Sequence, residues 1–162
     1  MSYAAENGHK VVFELLLHQP DVEVNLRDNK GRTPFFHAAN RGRESIIRLL
    51  INTTGVDIIS QDSIGQTALS YAVLHGHEGV VRQLLTSGEV NIYSRDTIHG
   101  QTPLLLALKY KYKSITKLLL DRPNIDINVC GNRGQTLCDY ARDQGMYEEA
   151  EAMAQRALEA RE

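Results

Sequence analysis

Six histidines, His9, His18, His37, His75, His77 and His99, are the first residues to weigh for chemistry, because imidazole is a common metal ligand and titrates near neutral pH. Their spacing argues against a metal site. His75 and His77 lie two residues apart at a predicted helix end, not at the i, i+4 spacing that presents two ligands on one helical face. His9 and His77 each follow a glycine at equivalent places, where a bond to nearby backbone accounts for them. Two cysteines, Cys130 and Cys138, are too few for a disulfide framework and point to a reducing compartment. One falls in a loop and the other in an apolar core slot, so no bond between them is expected. No Gly-rich phosphate loop, Gly-x-Ser-x-Gly elbow or pair of catalytic carboxylates occurs, so neither enzymatic activity nor a cofactor is expected. The one local charge cluster is Lys109-Tyr110-Lys111-Tyr112-Lys113. Cations interleaved with aromatics can stack bases or engage acidic lipid headgroups, but in a mildly acidic chain this stretch reads first as a solvated helix end.

The elements that would position these side chains follow from a repeated phrase. Thr33-Pro34-Phe35-Phe36-His37-Ala38-Ala39 returns as Thr67-Ala68-Leu69-Ser70-Tyr71-Ala72-Val73, Thr102-Pro103-Leu104-Leu105-Leu106-Ala107-Leu108 and Thr136-Leu137-Cys138-Asp139-Tyr140-Ala141-Arg142, at steps of 34, 35 and 34 residues. A fixed period in this range means one supersecondary unit copied along an axis, each copy depending on its neighbours to bury its apolar face. Within one unit, Asp62 to Gln66 is turn chemistry, and Thr67 is placed to cap a short helix carrying Leu69, Ala72 and Val73. Gly76 ends that helix. Val80, Val81, Leu84 and Leu85 then recur at helical period over residues 78–86, predicting a second, antiparallel helix stopped by Ser87-Gly88.

The turn glycine, Thr-Pro-Leu, small residues, Gly-His, paired apolar residues and a Val-Asn or Ile-Asn stretch together resemble an ankyrin repeat. Gly31-Arg32-Thr33-Pro34, Ala4-Ala5-Glu6-Asn7-Gly8-His9, Gly76-His77 and Gly100-Gln101-Thr102-Pro103 carry the resemblance, which covers essentially all 162 residues. The phrasing of Tyr3 to His9 and of Val56-Asp57-Ile58 is similar to ankyrin arrays of long fungal multidomain proteins. The resemblance implies an all-α, right-handed solenoid of helix-turn-helix units joined by β-hairpin-like loops. Its divisions would be a partial repeat over 1–26, repeats over 27–60, 61–94 and 95–129, and a C-terminal capping repeat over 130–162.

Departures from the period make local predictions. Thr97-Ile98-His99 holds one residue more than the other tips, so that hairpin should bulge. Lys111-Tyr112 stands where other copies have Gly-His, so a lysine must take a left-handed backbone position or the turn must be reshaped. Sliding the first residues onto the pattern puts Met1 in the slot of Phe35, Leu69, Leu104 and Cys138, which suggests either a piece cut from a longer array or a truncated first repeat that caps poorly. Residues 147–161 predict a capping helix, with Ala150, Met153, Ala154 and Leu158 inward and Glu148, Glu149, Glu151, Glu159 and Glu162 on its polar surface.

A formal net charge of −2 and a pI near 6.3 give no footprint for general nucleic-acid binding. No apolar run approaches the ~18 residues of a membrane span and the N-terminus carries no h-region, so an intracellular chain, cytoplasmic or nuclear and monomeric, is expected.

In proteins of the family resembled, hairpin tips and the exposed side of the first helices line a concave groove that binds another protein. Carried over residue by residue, the tip positions are Asn29, Lys30 and Arg32; Ser63, Ile64 and Gln66; Thr97, Ile98, His99 and Gln101; and Asn132, Arg133 and Gln135. The helix positions are Asn40 and Arg41, Leu74 and His75, Lys109 and Tyr110, and Asp143 and Gln144. Lys30, Arg32, Arg41, Lys109 and Arg133 make this strip basic, while Ile64, Leu74, Ile98 and Tyr110 are apolar where water is expected. An apolar centre with a charged rim is the composition of a protein-binding patch. The expected function is a non-catalytic interaction module for a partner segment of acidic and apolar character. The competing expectation is a structural or autoinhibitory array within a larger enzyme or NTPase, contacting its own chain.

Overall fold

The computed structural model describes residues 1–88, 90–122, 125, 127 and 135–159, and among them it contains ten helices and no strand. The helices come in pairs. The first members are α1 (Ser2–Asn7), α3 (Pro34–Asn40), α5 (Ala68–Leu74), α7 (Pro103–Lys109) and α9 (Leu137–Asp143). The second members are α2 (Lys10–Leu17), α4 (Glu44–Ile51), α6 (Glu78–Ser87), α8 (Lys113–Leu120) and α10 (Tyr147–Glu159). First helices stack on first helices, second on second, and each pair packs internally. Contacts of any extent are therefore local along the axis, which is the solenoid architecture the period predicts.

Local chemistry explains where the first helices start. Thr67, Thr102 and Thr136 each accept a hydrogen bond at Oγ1 from the backbone N–H three residues on, at 3.2, 3.3 and 3.1 Å. Such caps are worth about 1 kcal/mol each. Thr33 departs from this: its Oγ1 is buried without a partner, and the start falls to Pro34, which has no N–H to satisfy. The turn between paired helices needs a left-handed residue. Gly8, Gly42, Gly76 and Gly145 supply it, and Lys111 takes the same conformation at φ 59°, alone among described non-glycine residues. The lysine therefore follows the repeat's backbone and does not reshape it.

Alanines 4, 5, 38, 39, 72 and 107 are fully or nearly buried along the first helices, small enough to let those helices approach. Phe13, Ile47 and Val81 and, one turn on, Leu50, Leu84 and Leu119 fill the layer beneath the second helices. In α10, Ala150 and Met153 face inward as expected. Glu149 does not join the polar surface: it is buried, with Oε2 unpartnered, because it occupies the register position of the buried Ile46, Val80 and Ile115. Cys138 is half-buried, and burial pushes its thiol above the ordinary range. Cys130, Glu162 and the side chains of Leu158 and Glu159 lie outside the described residues.

Candidate functional site

The three described hairpin tips are held by one aspartate each. Asp28 Oδ1 accepts from the backbone N–H groups of Lys30 and Arg32, both at 2.9 Å, and Asp62 Oδ1 from those of Ile64 and Gln66, both at 3.0 Å. Asp96 spreads the task over both oxygens, with Ile98 and His99 at Oδ1 and Gln101 at Oδ2. Adjacent tips are stitched together, Ser63 N–H to Lys30 C=O and Thr97 N–H to Ile64 C=O, each at 2.9 Å. The extra residue acts as the sequence predicts. Gly31 and Gly65 close their turns on the aspartate three residues back, whereas Gly100 closes on Asp96 four back, and the widened tip leaves Ile98 61% exposed and His99 exposed.

The second aspartate oxygen reaches the first helix. Asp28 Oδ2 meets Arg32 Nη2 at 3.0 Å and His37 Nε2 at 3.1 Å, and Asp62 Oδ2 accepts from the Tyr71 hydroxyl at 2.8 Å. Burial alone would raise the Asp28 pKa, but the backbone N–H groups of Arg32 and Lys30 and the Arg32 guanidinium outweigh it and hold the carboxyl down at about 2. Burial and then the Asp62 carboxylate push Tyr71 up to about 12.

At the ends of the first helices, Arg41 donates from Nε and Nη2 to Glu6 Oε1 at 3.0 and 2.8 Å, which holds the Glu6 carboxyl below its usual range. His75 lies 6.0 Å from His77, centroid to centroid, and its pKa is lowered by burial first, then by the His77 and Arg41 charges. Tyr110, 43% exposed, stacks on Tyr112 at 6.0 Å, and Lys109 Nζ stands 5.6 Å from the Tyr110 ring centre.

Of the thirteen candidate positions, the tips place Lys30, Arg32, Ile64, Gln66, Ile98 and His99 along the stitched row. The helix ends carry Asn40, Arg41, Leu74, His75, Lys109 and Tyr110. Arg133 lies outside the described residues, as does Asn132. Ile64 and Leu74 are half-buried, so the uncovered apolar groups of this set are Ile98 and Tyr110. The cations also divide. Arg32 and Arg41 are engaged by Asp28 and Glu6, while the Lys30 ammonium is exposed with no ion-pair partner among the described residues.

The backbone bond expected of His77 is part of a row whose reach across repeats the sequence reading did not foresee. The residues after two of the turn glycines reach back to the preceding repeat: Arg43 Nε donates to Glu6 C=O at 2.8 Å, and His77 Nε2 meets Asn40 C=O at 3.0 Å, whereas the His9 side chain makes no such bond among the described residues. The Tyr112 ring lies over Gly76, where an added Cβ would meet it at 2.9 Å. The signal was present in the fixed offset of Arg43, His77 and Tyr112 from their turns. Elsewhere, Arg48, Ile51, Asn52, Arg82, Gln83, Thr86 and Ser87 line a cleft of about 330 Å³ on the second-helix side. Among the described residues, no three His, Cys, Asp or Glu side chains are grouped to hold a metal ion, and no helix is long and apolar enough to cross a membrane.

The repeat chemistry agrees with comparison against known families. A family model described as ankyrin repeats in three copies matches residues 1–96, and one described as a single ankyrin repeat matches residues 99–132. No curated protein matches the chain. Ankyrin repeats are generally protein–protein interaction modules and are typically non-catalytic. With the family match covering more than half of the chain and the period, the caps and the stitched tips all in register, this chain belongs to the ankyrin repeat family.

Proposed function

We propose that residues 1–162 form a non-catalytic interaction module that binds a partner segment along the strip of hairpin tips and first-helix ends. The observation that carries this reading is the uncovered apolar pair Ile98 and Tyr110, with Lys109 over the Tyr110 ring and the exposed Lys30 two tips along the same stitched row. Exposed apolar side chains flanked by charge favour an occupant that brings its own apolar anchor and carboxylates. Tyrosine suits the centre of such a contact, with large rigid area and a hydroxyl at its edge. Arg41 contributes a guanidinium already oriented by Glu6, so a partner carboxylate would share it or displace Glu6. The repeat divisions proposed from the sequence, 27–60, 61–94 and 95–129 with end units either side, each bring one tip and one helix end to this strip.

The test uses a library of short acidic, Leu/Phe-rich peptides, with calorimetry on the best binder. Tyr110→Ala and Arg41→Ala should each weaken binding by about tenfold or more while leaving the unfolding midpoint nearly unchanged. Arg82→Ala, on the second-helix side, should do neither. Raising salt should weaken binding further, because the cations would meet exposed carboxylates. A peptide that binds the double variant as tightly as the parent would place the site elsewhere.

A further inference from the structure

Three departures from the repeat meet around one turn, and each puts an ammonium group where the chemistry of the other copies would not. Lys111 holds φ 59° where Gly8, Gly42, Gly76 and Gly145 take the left-handed conformation, so a Cβ is strained to place a cation there. Lys113 opens α8 where α4 and α6 open with Glu44 and Glu78, so its charge meets the like-signed end of the helix dipole. Lys117 stands four residues on from Lys113. In the three preceding second helices the same two positions carry opposite charges, Lys10 with Glu14, Glu44 with Arg48 and Glu78 with Arg82, the first and last pairs meeting at 3.3 and 2.8 Å. Like charges at that spacing weaken a helix as unlike ones support it. Lys109, at the end of α7, completes the group. All four lysines are exposed, and none has an ion-pair partner among the described residues.

We infer that the turn between α7 and α8 is a phosphate-recognition site, and that its occupant is a phosphorylated serine or threonine of the partner segment laid along the strip; the inference rests on that reading of the strip. Residues held at a local cost in stability, with no packing gain to offset it, mark function. Their type selects phosphate over carboxylate. Arg32 and Arg41 each meet a carboxylate through Nε and Nη2, so the strip handles carboxylates with arginine forks. The turn holds only lysines, point charges on flexible stems that can converge on a tetrahedral group from several directions. A phosphate monoester offers them about two negative charges on three terminal oxygens, where a carboxylate offers one charge. Tyr110, 43% exposed and carrying Lys109 Nζ at 5.6 Å, supplies apolar surface for the residues flanking the phosphate. An anionic membrane fits less well, because Glu44, Glu78 and Glu148 follow the equivalent turns and would meet the same flat surface. A nucleic-acid base would need the Tyr110 ring, which already stacks on Tyr112.

A library of Leu/Phe-rich peptides with a fixed central phosphoserine, screened beside the same library with serine and with glutamate at that position, tests this. The phosphoserine form of the best binder should bind about tenfold or more tightly than either counterpart. Lys111→Gly and Lys113→Glu should each remove most of that preference while leaving the unfolding midpoint unchanged or higher, because one relieves the turn and the other restores an unlike pair with Lys117. Weaker binding without lost stability is a signature that a merely structural role would not give. Phosphoserine and serine forms that bind equally would overturn the inference and leave the strip reading standing, whereas no binder in any of the three arms would overturn both. A preference that survives the two substitutions together would place the phosphate elsewhere and overturn the inference as well. Vesicles of phosphatidylserine in phosphatidylcholine test the rival surface. Co-sedimentation that the two substitutions abolish would assign the turn to lipid and overturn the peptide occupant, and its absence agrees with the inference.

Discussion

At the scale of single residues, two positions hold energy that substitution can read. Lys111 takes φ 59° where four equivalent turns use glycine, and an L-residue with a Cβ is strained there. Lys111→Gly should stabilise the chain by about 0.5–1 kcal/mol, the relieved strain exceeding the entropy that glycine loses on folding; urea titration checks it, and an unchanged midpoint would mean the turn carries no strain. Asp28 tests the tips. Its carboxyl has a pKa of about 2 in the fold against an ordinary 3.8, so the folded state favours the charged form. Its contribution is complete above pH 3.8, shrinks as pH falls, and is gone below about 2. Asp28→Asn should therefore flatten the loss of stability across that window, measured by denaturant midpoints at several pH values. The period named Lys111 as the residue that replaces glycine, but the sequence left open whether it would go left-handed or reshape the turn, and the packing of the flanking repeats decided for the former. The Arg41–Glu6 pair was not legible, because the partners lie 35 residues apart and meet through the stacking of α1 on α3.

At the scale of elements, the threonine phrase set the helix starts at Pro34, Ala68, Pro103 and Leu137, and the residue count between Asp96 and Thr102 gave the widened tip. Glu149 escaped because a helical wheel of α10 alone shows a polar face, while the packing of α10 against α8 decides which part of it is covered. Coupling between elements is itself testable. Leu85 of α6 is 3% exposed, and α6 packs on α4 before it and α8 after it. Leu85→Ala should cost about 2–5 kcal/mol. Because stability in a stacked array is shared through interfaces, the loss of hydrogen-exchange protection should spread into α4 and α8. Loss confined to residues 61–94 would contradict that coupling.

At the scale of the whole molecule, the solenoid brings residues far apart in sequence into two parallel rows, the stitched tips and the backward-reaching helix ends. The period made the rows legible. It did not show which members would be neutralised: Arg32 and Arg41 read as free cations until Asp28 and Glu6 were placed beside them, and Ile64 and Leu74 read as wet until their neighbours half-covered them. The uncovered remainder, Ile98 and Tyr110 with Lys30 and Lys109, is where binding is proposed. The most direct test is a hydrogen-exchange footprint of the bound peptide. Slowed exchange at residues 96–101 and 108–112, with α4 and α6 unaffected around residues 48–52 and 82–87, is the result expected. A footprint on those second-helix segments, with the tips unchanged, would contradict the account.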